Sequence, residues 1–196
     1  MKEIFLAGGC FWGMQHYLGL IKGISNTEVG FANGNPDIVN PSYKLVYTDT
    51  TGYAETVRVE YDPSAIDLPF LLDMFFRAID PTVLNGQGND TGTRYRSGVY
   101  YTDPADRYVI EAFIDVLQER CSGCVVTECA PLCNFYPAGD DHQNYLDKNP
   151  GGYCHIPIDM FSFARNSIRP LKAERYEAVA EEVAQLISKM SGDSLL

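Results

Sequence analysis

Apolar and polar side chains alternate along residues 54–61, which is the pattern of a β-strand with one buried face. The apolar face carries Val57, Val59 and Tyr61. Glu55 falls on this same face, where a carboxylate is costly to ionise. We therefore expect a raised pKa for Glu55 and a proton on its carboxyl group at neutral pH. The alternative is that the strand ends at Thr56 and Glu55 meets solvent.

Helical periodicity predicts three long helices, because apolar residues recur every three or four positions over residues 11–20, 68–79 and 105–117. Asp67 and Asp103 precede the second and third of these runs, and a Pro in the first turn of each is typical of a helix N-terminus. The other predicted strands cover residues 4–7, 24–31, 95–101 and 125–130.

The order of these elements predicts the fold class. The order strand, helix, strand, strand, helix, strand, then helix and strand, indicates an α+β two-layer sandwich. We predict a ferredoxin-like split βαβ core with additional helices and long loops. Strands that alternate apolar and polar residues fit a sheet that is covered on one face only.

Cys10 lies at the predicted turn from the first strand to the first helix, within Gly8-Gly9-Cys10-Phe11-Trp12-Gly13. Free backbone N–H groups and the helix dipole favour an anion at such a position. We therefore expect a thiol pKa below that of a free Cys, and the thiolate is the nucleophilic form. The alternative is an inert core Cys between core aromatic residues.

Composition narrows the function further. The chain has 196 residues and a net charge of −11, which argues against binding to nucleic acid. Its apolar runs are too short to span a membrane, and we predict no signal peptide, a cytoplasmic location and a monomer. Six cysteines in a chain of this size point to redox or metal chemistry.

Four of the cysteines, Cys121, Cys124, Cys129 and Cys133, cluster in the sequence, and a zinc site is one interpretation of this spacing. The spacing is tight, however, and a strand is predicted through Cys129. We favour free or occasionally paired thiols.

Six motifs occur in one order along the chain. They are Gly-Gly-Cys-Phe-Trp-Gly at 8–13, Asn-Pro-Ser-Tyr at 40–43, Gly-Tyr-Ala-Glu at 52–55, the Gly-Asn-Asp loop at 88–97, His-Gln-Asn-Tyr-Leu at 142–146 and Gly-Tyr-Cys at 152–154. Together they resemble the A-type peptide methionine sulfoxide reductases over about residues 3–156. We accordingly assign residues 1–157 to a catalytic domain of that type. Residues 158–196 form a C-terminal extension with a predicted amphipathic helix at 170–190.

The resemblance implies reduction of the S-epimer of methionine sulfoxide, free or in peptides, as repair of oxidised proteins. In such enzymes the Cys matching Cys10 attacks the sulfoxide sulfur and becomes a sulfenic acid. The Cys matching Cys154 then resolves the sulfenic acid as a disulfide, which thioredoxin reduces. No resident cofactor or metal is implied, and dithiothreitol serves as an artificial reductant.

The resemblance also implies roles for the other motif residues. The residues matching Phe11 and Trp12 hold the substrate's methyl group, and the Asp matching Asp90 helps to orient the substrate. Those matching Glu55, Tyr43 and Tyr95 surround the sulfoxide oxygen, with Glu55 as the proton donor. We place His142 and Tyr145 on the substrate side of the site.

The chemistry of these residue types agrees with the resemblance. Attack at sulfur pushes charge onto the sulfoxide oxygen, which must be protonated to leave, so an acid with a raised pKa is required. Phenols at Tyr43 and Tyr95 are suitable neutral donors to that oxygen, and an indole at Trp12 is a suitable wall for a small apolar methyl group.

Three alternatives stay open from the sequence. A cysteine hydrolase would pair Cys10 with His142, and it would need no reductant. A thiol-rich metal-binding module would leave the Cys10 region inert. Within the reductase interpretation, Cys133 rivals Cys154 as the resolving thiol, although Gly151 and Gly152 supply the bends that a moving Cys154 needs.

Overall fold

A computed structural model of the protein describes residues 1–168 and residue 185. The main sheet contains β1 Lys2–Gly8, β2 Ile24–Ala32, β3 Ala54–Tyr61, β6 Ser97–Tyr101, β7 Glu128–Pro131 and β8 Phe135–Pro137, and a small ribbon pairs β4 Gly86–Gln87 with β5 Asp90–Thr91. The helices are α1 Phe11–Gly19, α2 Tyr43–Tyr47, α3 Leu68–Ala78, α4 Pro104–Arg120, α5 Tyr145–Lys148 and α6 Ile158–Asn166. None of the helices in these residues is long and apolar enough to cross a membrane.

The main sheet is mixed and confirms the predicted α+β class. Its strand order is β7-β6-β1-β3-β2-β8, and neighbours are antiparallel except for the parallel pair β6 and β7. The predicted caps also form, since the carboxylates of Asp67 and Asp103 accept hydrogen bonds from the backbone N–H groups of Phe70 at 3.0 Å and Ala105 at 2.9 Å.

The sheet is covered on both faces near the C-terminal end of β1, so the prediction of a single covered face is incomplete. One face packs against α1, α3 and α4 and holds the main core. On the other face, Leu132 and Phe135 cover a small cluster of Phe5, Ala7, Ala32, Ala54 and Tyr100. The connection from β7 to β8 has to cross this face, because those two strands lie at opposite edges of the sheet.

Two strand boundaries differ from the predicted ones. Tyr95 lies in the 3₁₀ turn Thr93–Tyr95 rather than in a strand, because the carboxylate of Asp49 accepts hydrogen bonds from the backbone N–H groups of Thr93 and Arg94 at 2.9 and 3.0 Å. The strand predicted at residues 125–130 begins only at Glu128. The backbone N–H groups just before it donate instead to Gln118 and Pro81.

The C-terminal extension is described only in part. Helix α6 was not predicted, and it docks on α1 through the Phe161 ring, whose centroid lies 4.8 Å from that of His16. The amphipathic helix predicted at 170–190 lies outside the described residues, and the domain boundary at residue 157 stays a prediction.

We predict that Gly30→Ala destabilises the fold by about 1–3 kcal/mol, because the added methyl group overpacks the β2–β8 edge. A Cβ at Gly30 would lie 2.5 Å from the Phe135 ring and 2.5 Å from the carbonyl oxygen of Tyr136. The free energy of unfolding is measured in urea. Gly19→Ala is the matched control, because the nearest atom to its Cβ is 3.8 Å away. Equal losses in the two variants would contradict the packing argument.

Candidate active site

Cys10 stands where the central strand turns into the first helix. It occupies the cap position before α1 and is 4% exposed. Gly9, the residue before it, has a φ of +81°, and a Cβ there would lie 2.7 Å from Gln87. The turn therefore requires glycine at this position, and it delivers the Cys10 thiol to the buried N-terminus of α1.

Glu55 lies beneath this helix start and is 1% exposed, so the solvent-facing alternative is wrong. The backbone N–H of Phe11 donates a hydrogen bond to Oε2 of Glu55 at 3.1 Å. Burial raises the pKa of Glu55 to about 8, although the Phe11 amide and the charge of Arg94 oppose the increase. The predicted burial and raised pKa are confirmed, and the carboxyl group carries its proton at neutral pH.

The pKa of the Cys10 thiol is raised, and the prediction of a lowered pKa is therefore wrong. Burial is the main cause, and the neighbouring Glu55 adds to it. The backbone N–H of Trp12 acts in the direction expected for a helix start, but its effect is smaller than that of burial. The resting site thus holds a neutral thiol beside a neutral carboxyl group.

Aromatic rings form a wall beside this pair. The ring centroid of Trp12 lies 3.9 Å from that of Tyr145, and its indole N–H donates to Nδ1 of His142 at 3.3 Å. Tyr43 stacks on His142 with centroids 4.2 Å apart, and Phe11 lies 6.3 Å from Tyr43. The structure therefore brings all five of these predicted residues together.

A cavity of about 650 Å³ opens beside this aromatic cluster, and Tyr43 and His142 line it together with Lys44 and Asp141. Within the described residues, His142 contacts Trp12 and Asp141 through its ring nitrogens. Nδ1 accepts the indole N–H of Trp12, so its lone pair is occupied and cannot take a proton from a thiol, and Nε2 lies 3.7 Å from the Asp141 carboxylate. This geometry argues against the hydrolase alternative.

The two predicted phenols near Glu55 are neutral. Burial raises the pKa of Tyr95 to about 12 and also raises that of Tyr43, and the Glu55 charge adds to both shifts. A phenol with a raised pKa keeps its proton and donates a hydrogen bond.

The sequence motifs assigned no role to Asp49 or Arg94, which support this side of the site. The guanidinium of Arg94 lies 4.4 Å from the ring centroids of both Tyr47 and Tyr95. Asp49 binds the Arg94 backbone N–H at 3.0 Å and lies 3.6 Å from its guanidinium. Arg94 stands within a quoted motif, whereas nothing in the sequence around Asp49 indicated its contacts.

Cys154 lies against the first turns of α1. A Cβ at Gly13 would lie 2.6 Å from Sγ of Cys154, and Gly13 is three residues after Cys10 on the same helix. Cys154 is close enough to Cys10 to add to the pKa shift of the Cys10 thiol. Its own thiol pKa is raised by burial.

The other four cysteines lie elsewhere. Cys129 is on β7 at the sheet edge, and Cys133 is exposed in the connection that crosses the opposite face from α1. Cys121 and Cys124 follow α4. No group of three or more His, Cys, Asp or Glu side chains within residues 1–168 and 185 is arranged to hold a metal ion, so the zinc interpretation has no support there.

The model of one family, described as peptide methionine sulfoxide reductase, matches residues 2–171 of this sequence. The chain belongs to the peptide methionine sulfoxide reductase family. This match confirms the predicted enzyme class, and relatives named MsrA confirm the resemblance to the A type that the six motifs indicated.

Individual relatives of this reductase agree. The peptide methionine sulfoxide reductase MsrA of Clostridium acetobutylicum is 51% identical over 160 residues, which cover 82% of this chain and 98% of that protein. The reduced form of Mxr1 from Saccharomyces cerevisiae matches with a TM-score of 0.76 and 41% identity, over 79% of this chain and 88% of that one. Mxr1 in complex with Trx2 matches with a TM-score of 0.53 and 29% identity, over 79% of this chain and 86% of that one.

We predict that Glu55→Gln stabilises the reductase more strongly at high pH than at low pH. The folded pKa of Glu55 is about 8 against 4.5 for an ordinary Glu, so folded stability falls as the pH rises between these values. Gln does not ionise, so the variant does not lose this stability as the pH rises. The difference in free energy of unfolding between variant and wild type is measured in urea at about pH 5 and about pH 8.5. A difference independent of pH would show that the Glu55 carboxyl ionises normally.

Proposed function

We propose that this reductase reduces the S-epimer of methionine sulfoxide through Cys10, with Glu55 as the proton donor and Cys154 as the resolving thiol. The observation that carries the proposal is the buried, protonated carboxyl of Glu55, which is held by the Phe11 amide beside the Cys10 thiol. An acid with such a pKa serves a reaction in which an oxygen must be protonated to leave.

In the proposed first step, Sγ of Cys10 attacks the sulfoxide sulfur while Glu55 gives its proton to the sulfoxide oxygen. The Glu55 carboxylate then takes the proton that leaves Cys10, so the site returns to its neutral form. The oxygen passes from the substrate sulfur to Cys10. The substrate becomes a thioether, and Cys10 is oxidised to a sulfenic acid.

The substrate side of the site supports the same chemistry. The hydroxyls of Tyr43 and Tyr95 are neutral donors for an oxygen that gains negative charge. We propose that Phe11 and Trp12 enclose the sulfoxide methyl group, while Tyr145 stacks on the indole of Trp12 and His142 accepts its N–H. Asp90 is proposed to orient the substrate.

In the proposed second step, Cys154 attacks the Cys10 sulfenic acid, and a disulfide and water form. The contact of Cys154 with Gly13 supports this assignment over Cys133, which lies in the connection on the opposite face of the sheet. The Cys154 thiol already lies against Gly13, which follows Cys10 by three residues at the start of α1.

Thioredoxin is the proposed reductant of this disulfide, with dithiothreitol as its artificial substitute. The solved complex of the related Mxr1 with Trx2 supports a thioredoxin as partner. The cytoplasm remains the proposed location, which suits an enzyme whose thiols must be kept reduced.

For the fold, we propose that β1, α1, β2, β3, α3 and β6 form a ferredoxin-like core. The sheet order β6-β1-β3-β2 and its antiparallel pairs support this description. We keep residues 1–157 as the proposed catalytic domain and 158–196 as its extension.

The decisive assay measures reduction of the two separated epimers of a methionine sulfoxide peptide, with and without thioredoxin or dithiothreitol. We expect continuous turnover of the S-epimer with reductant and one equivalent of product without it. Continuous turnover without reductant, or equal rates for both epimers, would contradict the proposal.

We predict that Cys154→Ser still reduces one equivalent of sulfoxide at the wild-type rate, because Cys10 and Glu55 are intact. The sulfenic acid should then accumulate, dimedone should label Cys10, and turnover with thioredoxin should fail. Cys133→Ser is the matched control and should behave as wild type. A Cys10–Cys133 disulfide in peptide maps of the wild-type protein would overturn the assignment.

We predict that Glu55→Gln lowers the single-turnover rate about a hundredfold or more, because it removes the proton donor. Substrate affinity should change little. In wild type this rate should fall as the pH rises through about 8, since the Glu55 proton is lost there. The control is Glu60→Gln, which should keep the wild-type rate. Glu60 lies on the same strand but on its polar face, where it pairs with Arg58. Wild-type turnover in Glu55→Gln would exclude Glu55 from the mechanism.

A further inference from the structure

Residues 153–156, which we call the resolving segment, pass beside the start of α1. Cys154 and Ile156 of this segment face Gly13. A Cβ at Gly13 would lie 2.6 Å from Sγ of Cys154 and 3.7 Å from the side chain of Ile156. This contact holds one side of the resolving segment against the helix that begins after Cys10.

The other two side chains of the resolving segment, those of Tyr153 and His155, lie beside Asp90. Nδ1 of His155 lies 3.9 Å from Oδ2 of Asp90. Burial and the nearby Asp90 carboxylate raise the pKa of Tyr153 to about 12. Asp90 therefore lies beside both chain neighbours of Cys154.

The ring of His155 is buried against Gly9, the residue before Cys10. Its side chain is 3% exposed, and Nε2 lies 3.1 Å from the position of a Cβ at Gly9. Within residues 1–168 and 185, neither ring nitrogen makes a hydrogen bond of standard geometry, and neither does Oδ2 of Asp90. The backbone of Gly8 is the polar group close enough to the ring to raise its pKa together with Asp90. Buried polar atoms without partners are rare and costly, so each calls for a functional explanation.

The ring is neutral and has both a donor and an acceptor. Burial lowers the pKa of His155, against the opposite effects of Asp90 and of the Gly8 backbone. A neutral imidazole carries one N–H and one free nitrogen. Since Nδ1 and the Asp90 oxygen are 3.9 Å apart, a shift of about 1 Å brings them within hydrogen-bond distance.

We propose that His155 is a positioning residue for disulfide formation: held between Gly9 and Asp90, it fixes the adjacent Cys154 for attack on Cys10. The proposal rests on the proposed roles of Cys10 and Cys154. His155 directly follows Cys154, so a hydrogen bond between the ring and Asp90, formed by that shift of about 1 Å, restricts the backbone of both residues. Correct placement of two reacting groups is a large part of the rate of such a step.

The step that His155 assists is balanced within the site. The bond between the two Sγ atoms forms as the S–O bond of the Cys10 sulfenic acid breaks. The proton of the Cys154 thiol leaves with the hydroxyl group as water. The Cys154 sulfur is oxidised, the Cys10 sulfur is reduced, and no external oxidant is required.

The test separates the two steps in one single-turnover experiment. Enzyme is mixed with one equivalent of S-methionine sulfoxide without reductant and quenched at intervals. The amount of methionine measures the first step, and the Cys10–Cys154 disulfide in peptide maps measures the second.

Two variants of His155 are compared. His155→Phe keeps a ring of similar size without its polar atoms, whereas His155→Gln keeps a neutral donor and acceptor. His16→Ala is the control, because His16 lies on α1 paired with Asp147 at 2.9 Å.

We expect wild-type methionine formation in all three variants. Disulfide formation should be about tenfold slower or more in His155→Phe, as for the loss of a hydrogen bond to a charged group, and within about threefold of wild type in His155→Gln. His16→Ala should match wild type in both steps.

The inference is overturned if His155→Phe forms the disulfide at the wild-type rate, or if His155→Gln is as slow as His155→Phe. It is also overturned if both steps slow by the same factor, which indicates a general structural role. Failure of the proposed function is distinguishable, because the wild-type enzyme itself would then form no Cys10–Cys154 disulfide.

Discussion

The hydrogen bond from the Phe11 amide to the buried Glu55 carboxyl is the constraint on which the site depends. It joins the start of α1 to β3, and the antiparallel register between β1 and β3 creates it. Leu6 pairs with Val57, so two residues further along Glu55 lies beneath the turn that carries Cys10. A slip of one residue would turn the carboxyl to the opposite face of the sheet, away from α1.

Burial, rather than the helix dipole, sets the protonation of this site. Both Cys10 and Glu55 are deep enough that desolvation raises their pKa values. The neutral pair avoids two adjacent buried charges, and it keeps ready the proton that a departing oxygen needs. The charge of Arg94 opposes the rise in the Glu55 pKa, and its guanidinium lies 4.4 Å from the ring centroids of both Tyr47 and Tyr95.

The C-terminal part of the described chain completes the centre that β1, α1 and β3 begin. Cys154 lies against the start of α1 because Gly13 has no side chain to obstruct it, and Asp90 lies beside the residues on either side of Cys154. The β7–β8 connection instead carries Cys133 across the opposite face. The two candidate resolving thiols are therefore distinguished by which side of the sheet their segments follow.

Local patterns in the sequence determined the elements and several site residues. Period-two alternation placed Glu55 on a buried face, capping residues marked the starts of α3 and α4, and ordered motifs indicated the family. Other features depended on contacts between distant segments. Asp49 holds the turn that removes Tyr95 from a strand, burial by the folded chain reverses the expected pKa shift of Cys10, and His155 meets Asp90. Periodicity reports which face of an element is buried, but solvation and pairing arise only when the chain brings remote residues together.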